Sequence, residues 1–242
     1  MLGIIRSLYV LDPVSVGSST VSEVRSRGRT MGWMCSWVAV QGAAKSELLD
    51  ALRLVETGEP VEPGSRSSGM SCAERPGGWL ILFSEDFDWA DRDRVLELSR
   101  FGLTVGCQFE DKVEMTSVAC AARNGEELWR VFHINDPIYR LDVSGDPPGE
   151  FASIRDKLFR EQEEDGGEES DADFIHDIPL ELAKAVCGYR ADEDESPFIG
   201  LMRIDGSADA GGRRKVGLLG ILLSPFGPGG KWQLRRRDRS FM

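Results

Sequence analysis

The chain has 242 residues, 41% of them apolar, and is therefore long enough to bury a sizeable core. Its net charge at pH 7 is −12; because residues 1–30 carry +2 and residues 203–242 carry +6, the part between them carries −20. Such a domain repels nucleic acid and anionic membranes, which argues against both as partners of the main domain. No apolar run is long enough for a membrane helix, and five cysteines without a CxxC pair indicate reduced thiols. We therefore expect a cytoplasmic protein.

The first quarter of the chain predicts one strand, one helix and a long loop. Residues 1–30 are rich in Ser and Arg and are predicted to be a flexible extension. A β-prone run at 33–40 predicts a strand, and the apolar spacing over 43–55 predicts a helix that stops near Gly58. The Pro, Gly and Ser content of residues 56–76 predicts a surface loop.

Residues 77–134 carry the clearest pattern, which predicts a strand, a helix and three further strands. The continuous apolar run at 79–83 is typical of a strand buried on both faces, and Asp88 is placed to cap a helix over 89–100. Asn124-Gly125 is a strong two-residue hairpin signal, and Asp111-Lys112 is a weaker one.

These two turns define a register for the three strands. In that register Cys120 lies opposite Trp129, and Cys107 lies opposite Thr116. One face then collects the predicted core residues, which are Val105, Cys107, Phe109, Val118, Cys120, Trp129 and Val131. His133 shares this face.

The remaining residues predict two helices separated by acidic sequence. After a short strand at 139–143, Asp146-Pro147-Pro148 predicts the start of a helix. Residues 161–173 hold eight carboxylates and predict a solvated linker, whereas 178–187 predicts an amphipathic helix. Residues 193–242 read as a basic, Gly/Pro-rich tail.

Together these elements predict an α+β fold. We expect one domain over residues 31–192, built on a mainly antiparallel sheet of about five strands with helices packed on it. Both ends of the chain are expected to be loosely packed or disordered.

Glu114 and His133 are the candidate catalytic residues. On the predicted register they are diagonal neighbours, with Cβ atoms roughly 7 Å apart, and a Glu/His pair can perform general acid/base catalysis. The alternative is that His133 is a histidine at the edge of the core that hydrogen-bonds a neighbour.

Asp173, His176 and Asp177 lie within five residues and could ligate a divalent cation, but Asp177 is equally well placed to cap a helix. No calcium-loop, nucleophile-elbow, P-loop or dinucleotide-binding motif occurs in the sequence. We therefore expect no metal and no cofactor.

Four phrases carry a resemblance to other proteins. They are WVAVQG (37–42), GGWLILFSEDFDWAD (77–91), ELWRVFH (127–133) and DFIHDIPLELAKAVCGYR (173–190). In these phrases the chain resembles a group of uncharacterised bacterial proteins, and the resemblance extends over residues 33–190. It implies a single cytoplasmic domain and no particular activity.

Two functions from different classes follow from these patterns. The first is a non-enzymatic binding or inhibitor protein, immunity-like, whose acidic domain engages a basic protein partner. Its predicted binding residues are Asp86, Asp88, Glu110 and Asp111. The alternative is a hydrolase or transferase that uses Glu114 and His133. The basic clusters at 213–215 and 235–239 could contact nucleic acid or the chain's own acidic segment.

Overall fold

The computed structural model describes residues 34–61, 69–111, 115–135, 140–194 and 196–205. They form one antiparallel sheet of nine strands in the order β2-β9-β3-β4-β1-β5-β6-β7-β8. The strands are β1 (Met34–Gln41), β2 (Leu54–Val61), β3 (Met70–Arg75), β4 (Trp79–Ser84), β5 (Leu103–Glu110), β6 (Thr116–Arg123), β7 (Glu126–Ile134), β8 (Arg140–Gly145) and β9 (Phe198–Arg203). The fold is α+β, but the prediction of about five strands is wrong.

Helices cover both faces of this sheet. They are α1 (Lys45–Leu52), α2 (Arg92–Leu98), α3 (Glu150–Glu164) and α4 (Asp177–Cys187). Leu48 of α1 and Val95 of α2 join one apolar cluster, whereas Leu158 of α3 and Leu182 of α4 join another. We call the two sides the α1/α2 face and the α3/α4 face. Helices on both faces explain why β4 is buried along its whole length.

Three strands come mainly from segments predicted to be loop or tail, and β2 also includes the end of the helix predicted over 43–55, because α1 ends at Leu52. β2 and β3 occupy most of residues 56–76, and β9 lies within the predicted tail but is inserted between them. β2 is an edge strand with mostly exposed side chains, so its sequence lacks the alternation that marks a strand. Pro60 is tolerated there because an edge strand need not donate every N–H.

The predicted register of the central hairpins is wrong on β6. Glu110 pairs with Thr116, so β5 and β6 are joined by five residues and not by a two-residue turn at Asp111-Lys112. The turn at Asn124-Gly125 is confirmed, but Leu128 is a bulge, because Ala121 pairs with Trp129 and Ala122 pairs with Glu127. Each shift is an odd number of residues and reverses the face of β6.

This reversal changes the predicted core face. Val118 and Cys120 point away from the α3/α4 face, where Ala119 and Ala121 take their places. The two shifts cancel by β7, so its inward residues stay on the face predicted for them. They are Trp129, Val131 and His133.

The helix predicted over 89–100 is shorter and is capped differently. Asp86 accepts a hydrogen bond from the N–H of Asp88 and begins a 3₁₀ helix, Phe87–Ala90. Asp91 then caps α2 by accepting from the N–H of Arg94 at 2.8 Å. α4, by contrast, is confirmed, and Gly188 ends it in the left-handed conformation (φ 75°).

Candidate functional site

One end of the sheet gathers most of the predicted site residues. β4, β5 and β7 end there, while β1, β6 and β8 begin there. Asp86 and Asp88 follow β4, Glu110 closes β5, and Asp111 follows it. The connection between α3 and α4 crosses the same end, where its residue His176 contacts Glu110. We call this region the acidic end of the sheet.

His133 is at the buried base of the acidic end. Its side chain is fully buried, and its Nε2 lies 2.9 Å from Oδ2 of Asp173. The other oxygen of Asp173 accepts a hydrogen bond from the backbone N–H of His176 at 3.0 Å. Asp173 therefore ties the α3–α4 connection to β7. The aspartate–histidine pair is an acid/base arrangement, but His133 lines neither of the cavities described below.

His176 is the second buried imidazole of this end, and its ring centroid lies 5.9 Å from that of His133. Its Nε2 lies 3.1 Å from the carbonyl oxygen of Glu110, which can only accept, so Nε2 carries a hydrogen. The Ser117 hydroxyl donates to the carbonyl of His176 at 2.7 Å. Burial lowers the pKa of His176, although the nearby carboxylate of Asp177 acts in the opposite direction.

We expect His176 to make the fold sensitive to mild acid. His176 is protonated at a lower pH in the folded protein than in the unfolded chain, where the pKa of histidine is about 6.5. The stability that neutral His176 contributes is therefore fully present above the pKa of the unfolded chain. It is lost as the pH falls through that pKa towards the lower pKa of the folded protein. Urea unfolding between pH 7.5 and pH 5 measures how the free energy of unfolding changes with pH. This slope should be smaller for His176→Gln than for the wild type, by up to about 1.4 kcal/mol per pH unit, which is the value for one proton. Equal slopes in the two proteins would contradict this assignment.

The acidic segment 161–173, which was predicted to be a linker, is a folded turn. Residues 161–164 form the last turn of α3, and Gly167–Glu169 is a 3₁₀ helix. Gln162, 3% exposed, holds the segment together: its amide nitrogen donates to the carbonyls of Gly167 and Ala172, and its oxygen accepts from the N–H of Phe174. We call residues 161–173 the acidic turn.

Six carboxylates of the acidic turn are exposed to solvent. They are Glu163, Glu164, Asp165, Glu168, Glu169 and Asp171. None of them forms an ion pair with a Lys or Arg among the residues that the structure describes; the turn's one such pair joins Glu161 to Lys157 at 3.8 Å. The acidic turn is therefore a fixed surface of uncompensated negative charge.

The predicted site residues do not all contact one another or form a single site. Asp86 caps the 3₁₀ helix, while partial desolvation, followed by the charges of Asp86 and Asp91, raises the pKa of Asp88. Glu110 contributes its carbonyl oxygen to His176. Glu114 lies outside the described residues, so the Glu114–His133 pair stays a prediction.

Arg190 was not predicted as a site residue, yet it centres an ionic cluster around the start of α4. It is 5% exposed and uses Nε and Nη2 to bind both oxygens of Asp192 at 2.7 and 3.0 Å. Nη1 donates to Glu181 at 2.7 Å, and Nη2 donates to Asp177 at 3.0 Å. Burial by itself lowers the pKa of Arg190, but these carboxylates outweigh it and raise the pKa above its usual value. Asp177 therefore binds Arg190 and does not cap α4.

Arg190 also lines a shallow depression of about 500 Å³ at the C-terminal end of α4. Lys184 and Glu193, which form an ion pair, lie on its rim. The sequence signal for this cluster is an arginine that directly follows a helix-ending Gly-Tyr pair and precedes an acidic run.

The described residues contain no cluster of three or more His, Cys, Asp or Glu side chains arranged to hold a metal ion. No helix within the described ranges is both long and apolar enough to cross a membrane. Comparison of the chain with models of protein families, with characterised proteins and with solved structures found no match. The resemblance to a group of bacterial proteins therefore stays a prediction.

Proposed function

We propose that this chain is a non-enzymatic binding or inhibitor protein, immunity-like, that engages a basic protein partner through its acidic turn. The observation that carries the proposal is the set of six exposed carboxylates that pair with no described cation. Like charges that are held close together repel one another, and a partner with a basic surface would relieve that repulsion.

The way in which the turn is held supports the same function. Gln162 fixes it from inside through three hydrogen bonds, and Asp173 anchors its end to the buried His133. A surface that is already ordered loses little conformational entropy when it binds. Its charge would also steer a basic partner towards it, because long-range attraction raises association rates.

The alternative is a hydrolase or transferase that uses His133, and it has weaker support. The imidazole is sealed from solvent and its Nε2 is occupied by Asp173. A general base must reach the proton that it removes, and a substrate would have to enter a fully buried position to meet His133.

We further propose that the protein works in the cytoplasm. All five cysteines are buried and unpaired, as is usual for proteins kept in a reducing compartment. For Cys72, Cys120 and Cys187, burial raises the pKa of the thiol to about 12, which disfavours the reactive thiolate.

Affinity capture with the full chain as bait tests the binding function. Partners captured from the source cell at low salt are identified, purified and titrated against the wild type and a variant with Glu163, Glu164, Glu168 and Glu169 changed to Gln. We expect about thirtyfold weaker binding, since four surface ion pairs contribute roughly 0.5 kcal/mol each. We also expect the captured partner to be basic and to be released by high salt.

A matched control separates the position of the charges from their number. Changing Glu47, Asp50, Glu59 and Glu126 to the corresponding amides removes four exposed carboxylates elsewhere in the fold. Binding that is insensitive to salt, or a control variant that binds as weakly as the acidic-turn variant, would rule out the proposed surface.

A further inference from the structure

A small cavity on the α1/α2 face brings together three arginines. It measures about 140 Å³ and lies between the end of α1, the Trp89 side chain, α2 and the paired ends of β2 and β9. Arg53, Arg94 and Arg203 line it. None of the described residues that line it is acidic, although the whole chain carries a net charge of −12.

Backbone contacts position two of these arginines. Arg53 follows α1 in the left-handed conformation (φ 56°), and its N–H donates to the carbonyl of Asp50 at 3.1 Å. Its own carbonyl accepts from the N–H of Ile204 at 3.0 Å, which fastens the end of α1 to the end of β9. Arg203 immediately precedes this contact and pairs with Leu54 across the β2–β9 ladder. The fold thus places Arg53 and Arg203 side by side at one wall.

Arg94 comes from α2 and also lines the cavity. Its guanidinium lies 5.7 Å from the centroid of the Trp89 ring, and Nη1 donates to Glu97 at 3.0 Å. Its Nε is shielded from solvent and has no hydrogen-bond partner in the described part of the chain. Stacking on Trp89 and the single bond to Glu97 therefore hold the guanidinium in place while leaving one buried donor unused.

The charges around the cavity are not balanced by its own lining. Arg53 forms no ion pair with a described carboxylate, and Glu97 offsets only part of the charge of Arg94. Guanidinium groups that share a small, partly enclosed space repel one another, and the repulsion is stronger there than in bulk water. An anion in the cavity would remove this repulsion and accept a hydrogen bond from the unused Nε.

We propose that this cavity binds a phosphoryl group, either as inorganic phosphate or at the end of a small phosphorylated metabolite. The planar donor fork of arginine matches the oxygen geometry of phosphate, and Arg53 together with the unused Nε of Arg94 can donate to phosphoryl oxygens. The volume of about 140 Å³ is below the roughly 300–1,000 Å³ of pockets that enclose drug-sized ligands. Only the phosphoryl end of a larger ligand would therefore be enclosed. The site lies on the sheet face opposite the acidic turn and is independent of the proposed partner.

Calorimetric titration of the full chain with inorganic phosphate, at constant ionic strength set with chloride, tests the proposal. We expect one phosphate per chain and about tenfold weaker binding for both Arg53→Gln and Arg94→Gln, since each loses a charge-assisted contact. Arg53→Lys, which keeps the charge but loses the fork, should bind with intermediate affinity. Arg160→Gln is the matched control, because Arg160 is an exposed arginine of α3, on the other face.

The outcomes distinguish the sources of the group. Tighter binding of glycerol phosphate than of inorganic phosphate assigns the site to a phosphorylated metabolite, and the reverse order assigns it to the free ion. The proposal is overturned if titration with phosphate releases no more heat than titration with chloride. It is also overturned if Arg160→Gln loses as much affinity for phosphate as Arg53→Gln. Unfolding curves of each variant without phosphate show whether the fold is intact before binding is compared.

Discussion

Replacement of Arg190 by methionine is expected to lower the free energy of unfolding by about 3–5 kcal/mol, the usual cost of removing one partner of a buried ion pair. Methionine is apolar and of similar length, so the change leaves Asp177 and Asp192 without their shared cation. Their carboxylates would then lose the guanidinium that binds both of them. We expect the variant to unfold at a markedly lower urea concentration at neutral pH.

Two comparisons show whether charge is the cause. Arg160→Met removes an exposed arginine and should change stability by no more than about 0.5 kcal/mol. Combining Arg190→Met with Asp177→Asn and Asp192→Asn removes two of the carboxylates that Arg190 binds and should recover part of the loss. If the triple variant is no more stable than Arg190→Met alone, packing of the guanidinium, and not its charge, stabilises this region.

Gly145→Ala is expected to destabilise the fold by about 3 kcal/mol, through two causes that add. Gly145 ends β8 with φ 73°, a conformation that costs an L-residue roughly 1–2 kcal/mol. A Cβ there would lie 2.2 Å from the carbonyl oxygen of Leu128, the bulge residue of β7. This atom belongs to the backbone and accepts from the N–H of Asp146, so it cannot move aside easily, and overpacking of this kind costs about 1–3 kcal/mol.

Gly125→Ala separates these two causes. Gly125 also has a positive φ (81°), but nothing lies within 4 Å of its added Cβ. In this variant the free energy of unfolding should fall only by the cost of the positive φ, about 1 kcal/mol. Chemical denaturation of both variants measures the difference, which is the cost of the contact with the bulge. Equal losses for the two glycines would mean that the bulge moves freely.

Turn and helix-end residues in the sequence predicted correctly the turn and the helix end at which they lie. Asn124 and Gly125 adopt the left-handed angles of a tight hairpin, and Gly188 ends α4, as their residue types indicate. The bulge at Leu128 has no such signal, because the contacts of this residue are with β8, where its carbonyl oxygen accepts a hydrogen bond from the N–H of Asp146. The bulge and the five-residue connection between β5 and β6 are the two features that the predicted register lacked, and they explain why it placed Val118 and Cys120 on the wrong face of β6.

The candidate site was harder to predict, because its residues act through long-range contacts. Gln162 lies in a charged helical turn that reads as solvent-exposed, but its amide is buried by a segment that folds back on it. Asp173 reads as one more acidic residue of a linker, and only the fold brings it to His133, forty residues away. Composition predicted the negative charge, whereas its arrangement on an ordered turn depends on these two side chains.

The insertion of β9 between β2 and β3 has a consequence for how the chain reaches its native state. β2 is made early, but its only neighbour among the strands that the structure describes is β9, near residue 200. Until that strand has left the ribosome, β2 lacks the one described strand that pairs with it, and the edge of β3 that binds β9 is open. Pairing across so long a loop is intrinsically slow, and unpaired edges invite association with other chains. We expect the nascent protein to rely on chaperones until β9 closes the sheet.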